Sequence, residues 1–119
     1  MDPLQRLWDS TEQLHSRFGT HTRVEAQMRV FFEEVYEFTS SISDTRIGPG
    51  IVSAEAVDVI VTVFSALQAA GIPFDRLADA IVSVAVKNDA KDWTTHEIRN
   101  GKISRRQHQP DRDSAALSK

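Results

Sequence analysis

The segment that most constrains the fold is a nearly continuous apolar stretch, residues 51–71, with the sequence IVSAEAVDVIVTVFSALQAAG. Its large apolar residues recur at the i, i+3 and i+4 spacings of a helix, and further valines extend the apolar surface around the cylinder. We therefore expect a central core helix, with Ser53 as its N-cap and Gly71 as its stop. Glu55 and Asp58 are the only charged residues in it.

These two acids need an explanation, because burying a carboxylate without a partner is costly. Glu55 and Asp58 lie three residues apart, so a helix places both on one face. One explanation is that acids favour the positive N-terminal end of the helix dipole. The other is that the two carboxylates share a bound cation. The same acids, together with several hydroxyl side chains and an amide, argue against a membrane span.

Length and composition narrow the class of protein. With 119 residues the chain suffices for one small domain, which oligomerisation would help to stabilise. A net charge of −3 argues against a general nucleic-acid binder, and the absence of cysteine excludes disulfides and thiolate metal sites.

No signal peptide or lipidation motif is visible, so we expect a cytoplasmic protein. We assign residues 1–107 to a helical domain and residues 108–119 to a loose tail.

Charge is unevenly distributed along the chain. Residues 1–86 carry six basic and twelve acidic side chains, net −6, whereas residues 87–119 carry eight basic and five acidic ones, net +3. An acidic body with a basic C-terminal segment fits a metal site facing a phosphate-binding arm. Ordinary surface charges on a solvated tail would give the same difference.

Three further helices are predicted from the same apolar period. They cover residues 3–18, 23–40 and 74–86. Thr22 and Glu25 form a capping-box pattern before the second, and Asp75 is the expected N-cap of the last. Residues 41–50 read as a loop long enough for the next helix to return antiparallel. Residues 101–106 read as a basic turn or a short hairpin edge.

The second predicted helix carries three crowded acids, Glu33, Glu34 and Glu37, within about one turn. A solvated acidic face is the usual meaning of such a pattern. If the second and third helices pair antiparallel, however, Glu34 and Glu37 approach Glu55 and Asp58. Hard oxygen ligands suit Mg²⁺ or Mn²⁺, and Mg²⁺ is commonly shared with substrate phosphates, so the expected substrate is a polyphosphate.

The spacing of these acids resembles a known family signature. Glu33-Glu34-x-x-Glu37, a gap of 17 residues and Glu55-x-x-Asp58 are similar to the EExxE…ExxD motif of the all-α nucleoside triphosphate pyrophosphohydrolases. This MazG-like group includes dimeric dUTPases and phosphoribosyl-ATP pyrophosphohydrolase. Further similarity covers most of the chain: residues 14–19, LHSRFG, resemble the FH-x-x-FG opening with a leucine for the aromatic residue. Asn88-x-x-Lys91 and Gly101-Lys102-Ile103 resemble the downstream N-x-x-K and GK segments.

The resemblance implies an all-α, four-helix-bundle-like MazG fold, assembled as a homodimer or homotetramer. It also implies a Mg²⁺-dependent enzyme that cleaves a nucleoside triphosphate to the monophosphate and pyrophosphate, with no nucleic-acid or membrane partner. Carried over by position, the metal ligands would be Glu34, Glu37, Glu55 and Asp58. Glu33 would be a further ligand or the catalytic base that orients water. Substrate contacts would come from Asn88, Lys91, Lys102, Arg105 and His15.

Three alternatives stay open at this point. The chain could be a non-catalytic helical module that senses a nucleotide or binds a protein. It could be an oxidative di-metal bundle, for which Glu12 and His15 supply one Glu-x-x-His pattern, although such bundles need two copies. Trp8 and Phe18 could line a base pocket with His15, but we expect these two aromatic residues to pack in the core.

Overall fold

The chain is mainly helical, as predicted, with one small β-hairpin near its C-terminal end. A computed structural model describes residues 1–20 and 23–107, so the predicted tail at 108–119 lies outside the described residues. The elements are α1 (Pro3–Phe18), α2 (Val24–Ser43), α3 (Pro49–Ala69), α4 (Phe74–Asp89), β1 (His96–Arg99) and β2 (Lys102–Arg105). Two compact units divide the chain, Met1–Ala78 and a second that begins at Asp79. Each unit is described by itself.

Helix α1 has the bounds that its sequence predicts. Asp2 is the N-cap, and its Oδ1 accepts a hydrogen bond from the backbone N–H of Leu4 at 2.8 Å. Pro3 follows at the first helical position, where its missing N–H costs no helical hydrogen bond. Gly19 ends the helix with φ of 66°, in the left-handed region that glycine adopts without strain.

Helix α2 begins at Val24 with Arg23 at the N-cap, and no side chain caps it. The predicted cap, Thr22, lies outside the described residues. At its other end the helix runs to Ser43, three residues further than predicted. The Ser43 hydroxyl donates to the Thr39 carbonyl at 2.7 Å, so this serine finds a partner inside the helix instead of starting a loop.

Helix α3 begins earlier than predicted, at Pro49, which corrects two sequence expectations. Gly48 is the N-cap, so Pro49 and Gly50, expected in the loop at 41–50, belong to the helix, and Ser53 is an interior residue. The reason is that proline suits the first helical turn as well as a β-turn. The predicted stop is confirmed, since the helix ends at Ala69 and Gly71 adopts φ of 76°.

Helix α4 begins at Phe74, so Asp75 lies in its first turn and is not the N-cap that the sequence suggested. An acid in the first turn still faces the positive end of the helix dipole, which accounts for its position there. The helix continues to Asp89, three residues beyond the predicted end.

The best-buried aromatic cluster of the first unit joins α1, α3 and the start of α4. Trp8 is only 4% exposed and makes edge-to-face contacts with Phe64 and Phe74, at ring-centroid distances of 5.2 and 5.5 Å. The Gln68 side chain donates to the Trp8 carbonyl at 3.1 Å. Core packing of Trp8 is therefore confirmed. Phe18, by contrast, is 73% exposed, so its predicted core position is wrong.

Helix α3 packs against α1 and α2, yet much of its apolar surface stays uncovered in the single chain. Its buried residues are Thr62, Phe64 and Ser65, and the two hydroxyls donate to carbonyls of the preceding turn. Val57 and Ile60, expected in the core, remain exposed. By length and composition alone α3 would also fit a membrane span, a criterion that core helices of soluble proteins often meet.

The second unit contains the rest of α4 and an antiparallel hairpin of β1 and β2. Asn100 and Gly101 connect the strands with φ of 52° and 76°. Two consecutive residues with positive φ are typical of a tight type I′ turn, for which Asn-Gly is a preferred sequence. The pairing sets Ile98 opposite Ile103. The predicted hairpin edge at 101–106 corresponds to β2, and β1 was not predicted.

Candidate functional site

Helices α2 and α3 bring three of the four predicted metal ligands together. One carboxylate oxygen from each of Glu34, Glu37 and Glu55 lies within 4.8 Å of the other two. The short connection at residues 44–48 lets α3 return alongside α2, so the later part of α2 faces the early part of α3. The acids one turn apart on α2 therefore meet the acid of α3. We call these three residues the acidic cluster.

Asp58 and Glu33 flank the acidic cluster without belonging to it. Asp58 lies one turn after Glu55 on α3 and is exposed, but its negative charge contributes to raising the pKa of Glu34. Glu33 is exposed and precedes Glu34 on α2. Since successive residues of a helix point about 100° apart, Glu33 and Glu34 leave the helix in directions that differ by about this angle.

Glu34 is the least solvated member of the acidic cluster. Burial raises the pKa of its carboxyl above the ordinary value of 4.5, and repulsion from Glu37, Asp58 and Glu55 raises it further. A hydrogen bond with the Glu37 side chain, which favours the protonated carboxyl, also raises this pKa. Its Oε2 atom is buried and has no hydrogen-bond partner among the described residues. None of the ion pairs within residues 1–20 and 23–107 involves this cluster. The negative charge here is thus uncompensated by the chain itself.

The donor set fits a small divalent cation. Mg²⁺ binds oxygen ligands at about 2.0–2.1 Å, so oxygens on opposite sides of one ion lie about 4.2 Å apart. Neighbouring oxygens around an octahedral ion lie about 3 Å apart, so the oxygens of the acidic cluster, which lie within 4.8 Å of one another, would have to move closer together to bind one ion. A cation would also give the buried Glu34 oxygen the partner it lacks.

His15 lies at the contact between α1 and α3, where both of its ring nitrogens are engaged. Nδ1 is 2.6 Å from the Thr20 hydroxyl and Nε2 is 2.7 Å from the Ser65 hydroxyl. Because the Ser65 hydroxyl donates its hydrogen to the Val61 carbonyl, it accepts from Nε2–H, which leaves Nδ1 as the acceptor from Thr20. These bonds leave neither nitrogen free for a metal, which removes the basis of the di-metal alternative with Glu12.

The predicted phosphate-binding residues lie in the second unit. Lys91 donates from Nζ to the Asn88 Oδ1 at 3.1 Å, and Lys91 and Arg105 line one cavity. Lys102 lies opposite Arg99 in the hairpin. The structure also assigns Trp93 and His96 to the walls of cavities there, and the sequence reading missed both. The only sequence signal for them was the pair Asn100-Gly101, which is typical of a β-hairpin turn.

The titration of Glu34 leads to a prediction for the metal-free protein. A raised folded-state pKa means that the native state holds this proton more tightly than the unfolded chain. The contribution of this proton to the free energy of unfolding is fully present below about pH 4.5, and it is lost as the pH rises through the raised pKa. We therefore expect the free energy of unfolding of Glu34→Gln to increase relative to that of the parent as the pH rises from about 4.5 through the raised pKa. Urea unfolding in EDTA measures this difference.

Added Mg²⁺ should reverse this ranking near neutral pH, because only the parent keeps the full set of carboxylates. Glu12→Gln, an exposed change on α1, is the control and should follow the parent at every pH. A Glu34→Gln protein whose stability differs from the parent by the same amount at every pH would contradict the uncompensated charge.

Comparison with known proteins adds no relative to the resemblance in the motifs. No known family profile, no curated protein and no solved structure matches the chain.

Proposed function

We propose that the protein is a Mg²⁺-dependent nucleoside triphosphate pyrophosphohydrolase of the MazG-like type. The observation that carries the proposal is the convergence of Glu34, Glu37 and Glu55 from two helices, at the spacing of the EExxE…ExxD motif. The unpartnered buried oxygen of Glu34 supports a cation at this place. The substrate would be a ribo- or deoxyribonucleoside triphosphate, and the products its monophosphate and pyrophosphate.

Each acid has a distinct role in this proposal. The acidic cluster and Asp58 would hold Mg²⁺, or Mn²⁺ in its place. The ion, when bound, supplies charge neutralisation at the phosphates and lowers the pKa of a coordinated water. Glu33, which precedes Glu34 on α2 and is exposed, would accept the proton that the attacking water loses.

We also propose that the chain works as a homodimer or a dimer of dimers. Trp8 and Phe64 are the only buried apolar residues among those the structure describes, which is a small core for a chain of this length. On α2, Phe32 and Tyr36 are 63% and 73% exposed, one helical turn apart. We call this pair the outer face of α2. A second copy that covers it would supply the apolar burial that one chain lacks.

A nucleotide panel tests the proposed activity directly. The purified protein, incubated with canonical and modified NTPs and dNTPs plus Mg²⁺, should release pyrophosphate and the matching monophosphate from at least one of them. EDTA should stop the release, and Mn²⁺ should restore it in part. Tight binding of a nucleotide without turnover would instead favour the nucleotide-sensing module. Absence of both binding and turnover across the panel would refute both.

A further inference from the structure

Two adjoining cavities lie in the second unit, between the C-terminal end of α4 and the hairpin. The first has a volume of about 460 Å³ and the second about 370 Å³. Lys91 and His96 line both, so the two cavities meet at these side chains. Each volume lies in the range of about 300–1,000 Å³ that is typical of small-molecule sites.

The first cavity offers a surface for a planar ring. Trp93, Ile98 and Ile103 line it, and their side chains are 68%, 60% and 62% exposed. The two isoleucines are cross-strand partners, so they project on the same face of the hairpin. The Trp93 carbonyl accepts a hydrogen bond from Arg106 Nε at 2.6 Å, which fixes the backbone that carries the indole.

The second cavity is lined by cations. Its charged walls are Lys87, Lys91 and Arg105, with His96 beside them, and none of the described residues that line it is acidic. Three such side chains around one space form a site for an anion with several oxygens, such as a chain of phosphates.

The acids of the first cavity are already engaged. Glu97 lies 3.4 Å from Arg99 and 3.6 Å from Arg106 in two ion pairs. Asp92 accepts two hydrogen bonds from Thr94, from the backbone N–H at 2.9 Å and from the hydroxyl at 2.6 Å. The Glu97 charge is therefore compensated locally, whereas the hydrogen bonds from Thr94 stabilise the Asp92 carboxylate without cancelling its negative charge. Asp92 lines the first cavity and not the second, where the cations lie.

We propose that these two cavities form a nucleotide-binding site, in which the base stacks on Trp93 and the phosphates bind Lys87, Lys91 and Arg105. An apolar, aromatic cavity joined to a cationic one matches a ligand whose flat ring carries several phosphates. Because every base has a π-face, stacking of this kind accepts many bases. The inference goes beyond the proposed hydrolysis, since the site would bind a nucleotide even if the acidic cluster did not turn it over.

Calorimetric titration of the full chain with ATP in EDTA, where metal-dependent turnover is absent, tests the site. Trp93→Leu should weaken binding by about 10-fold or more, as expected for a lost stacking contact, and Trp93→Phe should restore most of it. Arg105→Gln should also weaken binding. Arg6→Gln is the control, because Arg6 is exposed on α1 and lines neither cavity, so its loss should leave the affinity unchanged.

Two partial ligands separate the two halves of the site. Adenosine should still be sensitive to Trp93→Leu, and inorganic triphosphate to Arg105→Gln, and each should bind more weakly than ATP. If Trp93→Leu and Arg105→Gln bind ATP like the parent while remaining folded by circular dichroism, the inference is wrong. That result would leave pyrophosphate release by the parent untouched, whereas ATP binding without release would refute only the proposed hydrolysis.

Discussion

Replacing Glu34 by glutamine should reduce Mg²⁺-dependent pyrophosphate release by at least about 100-fold, the scale of losing a direct ligand or an electrostatic catalytic group. Glu34 is a half-buried member of the acidic cluster, and its Oε2 atom is buried and has no hydrogen-bond partner within the described chain. The amide keeps the size of the side chain but removes its charge, so the protein should stay folded. Initial rates with the best substrate of the nucleotide panel measure the effect.

Glu12→Gln is the matched control for this prediction. Glu12 is also a helical glutamate, but it is exposed on α1 and belongs to the Glu-x-x-His pattern of the discarded di-metal alternative. Its replacement should leave the rate within a factor of about two of the parent. If the two variants lose activity equally, or if Glu34→Gln retains the parental rate, the acidic cluster is not the reaction centre.

Phe32→Asp should convert the protein to a monomer. The parent should elute with at least twice the 13.3 kDa mass of one chain. Phe32 is 63% exposed within one chain, so its loss removes little intrachain packing. At a subunit contact, however, an unpaired carboxylate would be buried, and the dissociation constant should rise by at least about 30-fold. Light scattering coupled to size exclusion, over a range of concentrations, measures this change.

Phe18→Asp provides the comparison for the subunit contact. Phe18 is 73% exposed at the end of α1 and is not part of the outer face of α2, and Phe18→Asp makes the same change in charge and size. It should leave the mass of the assembly unchanged. A parent that is monomeric at every concentration would contradict the proposed dimer, and a dimeric Phe32→Asp would place its contact elsewhere.

The first and last residues of a helix were predictable where the residues at its ends favour only one local structure. Pro3 favours a first helical turn and Gly19 a helix end, so the sequence predicted α1 to the residue, although it did not single out the Asp2 cap. Pro49 has two meanings, because proline favours both turns and first helical positions, and the sequence cannot choose between them. The choice depends on how far α3 must extend to pack along α2, which is tertiary information.

The acidic cluster was largely predictable, and the cavities of the second unit were not. Helical spacing fixes which acids share a face, and an antiparallel return then brings Glu34 and Glu37 to Glu55. Neither rule says how deeply each carboxylate is buried, so the sequence did not distinguish Glu34 from Asp58. The cavities arise where α4 meets a hairpin whose first strand, His96–Arg99, is too short and polar to show an alternating pattern.

The second unit is held together less firmly than the core around Trp8. Neither α4 nor either strand contains a fully buried residue. An isolated pair of strands is only marginally stable in water. Local unfolding therefore requires less free energy here than around Trp8. A ligand between α4 and the hairpin would have to order both walls, so part of its binding enthalpy would be offset by lost chain entropy.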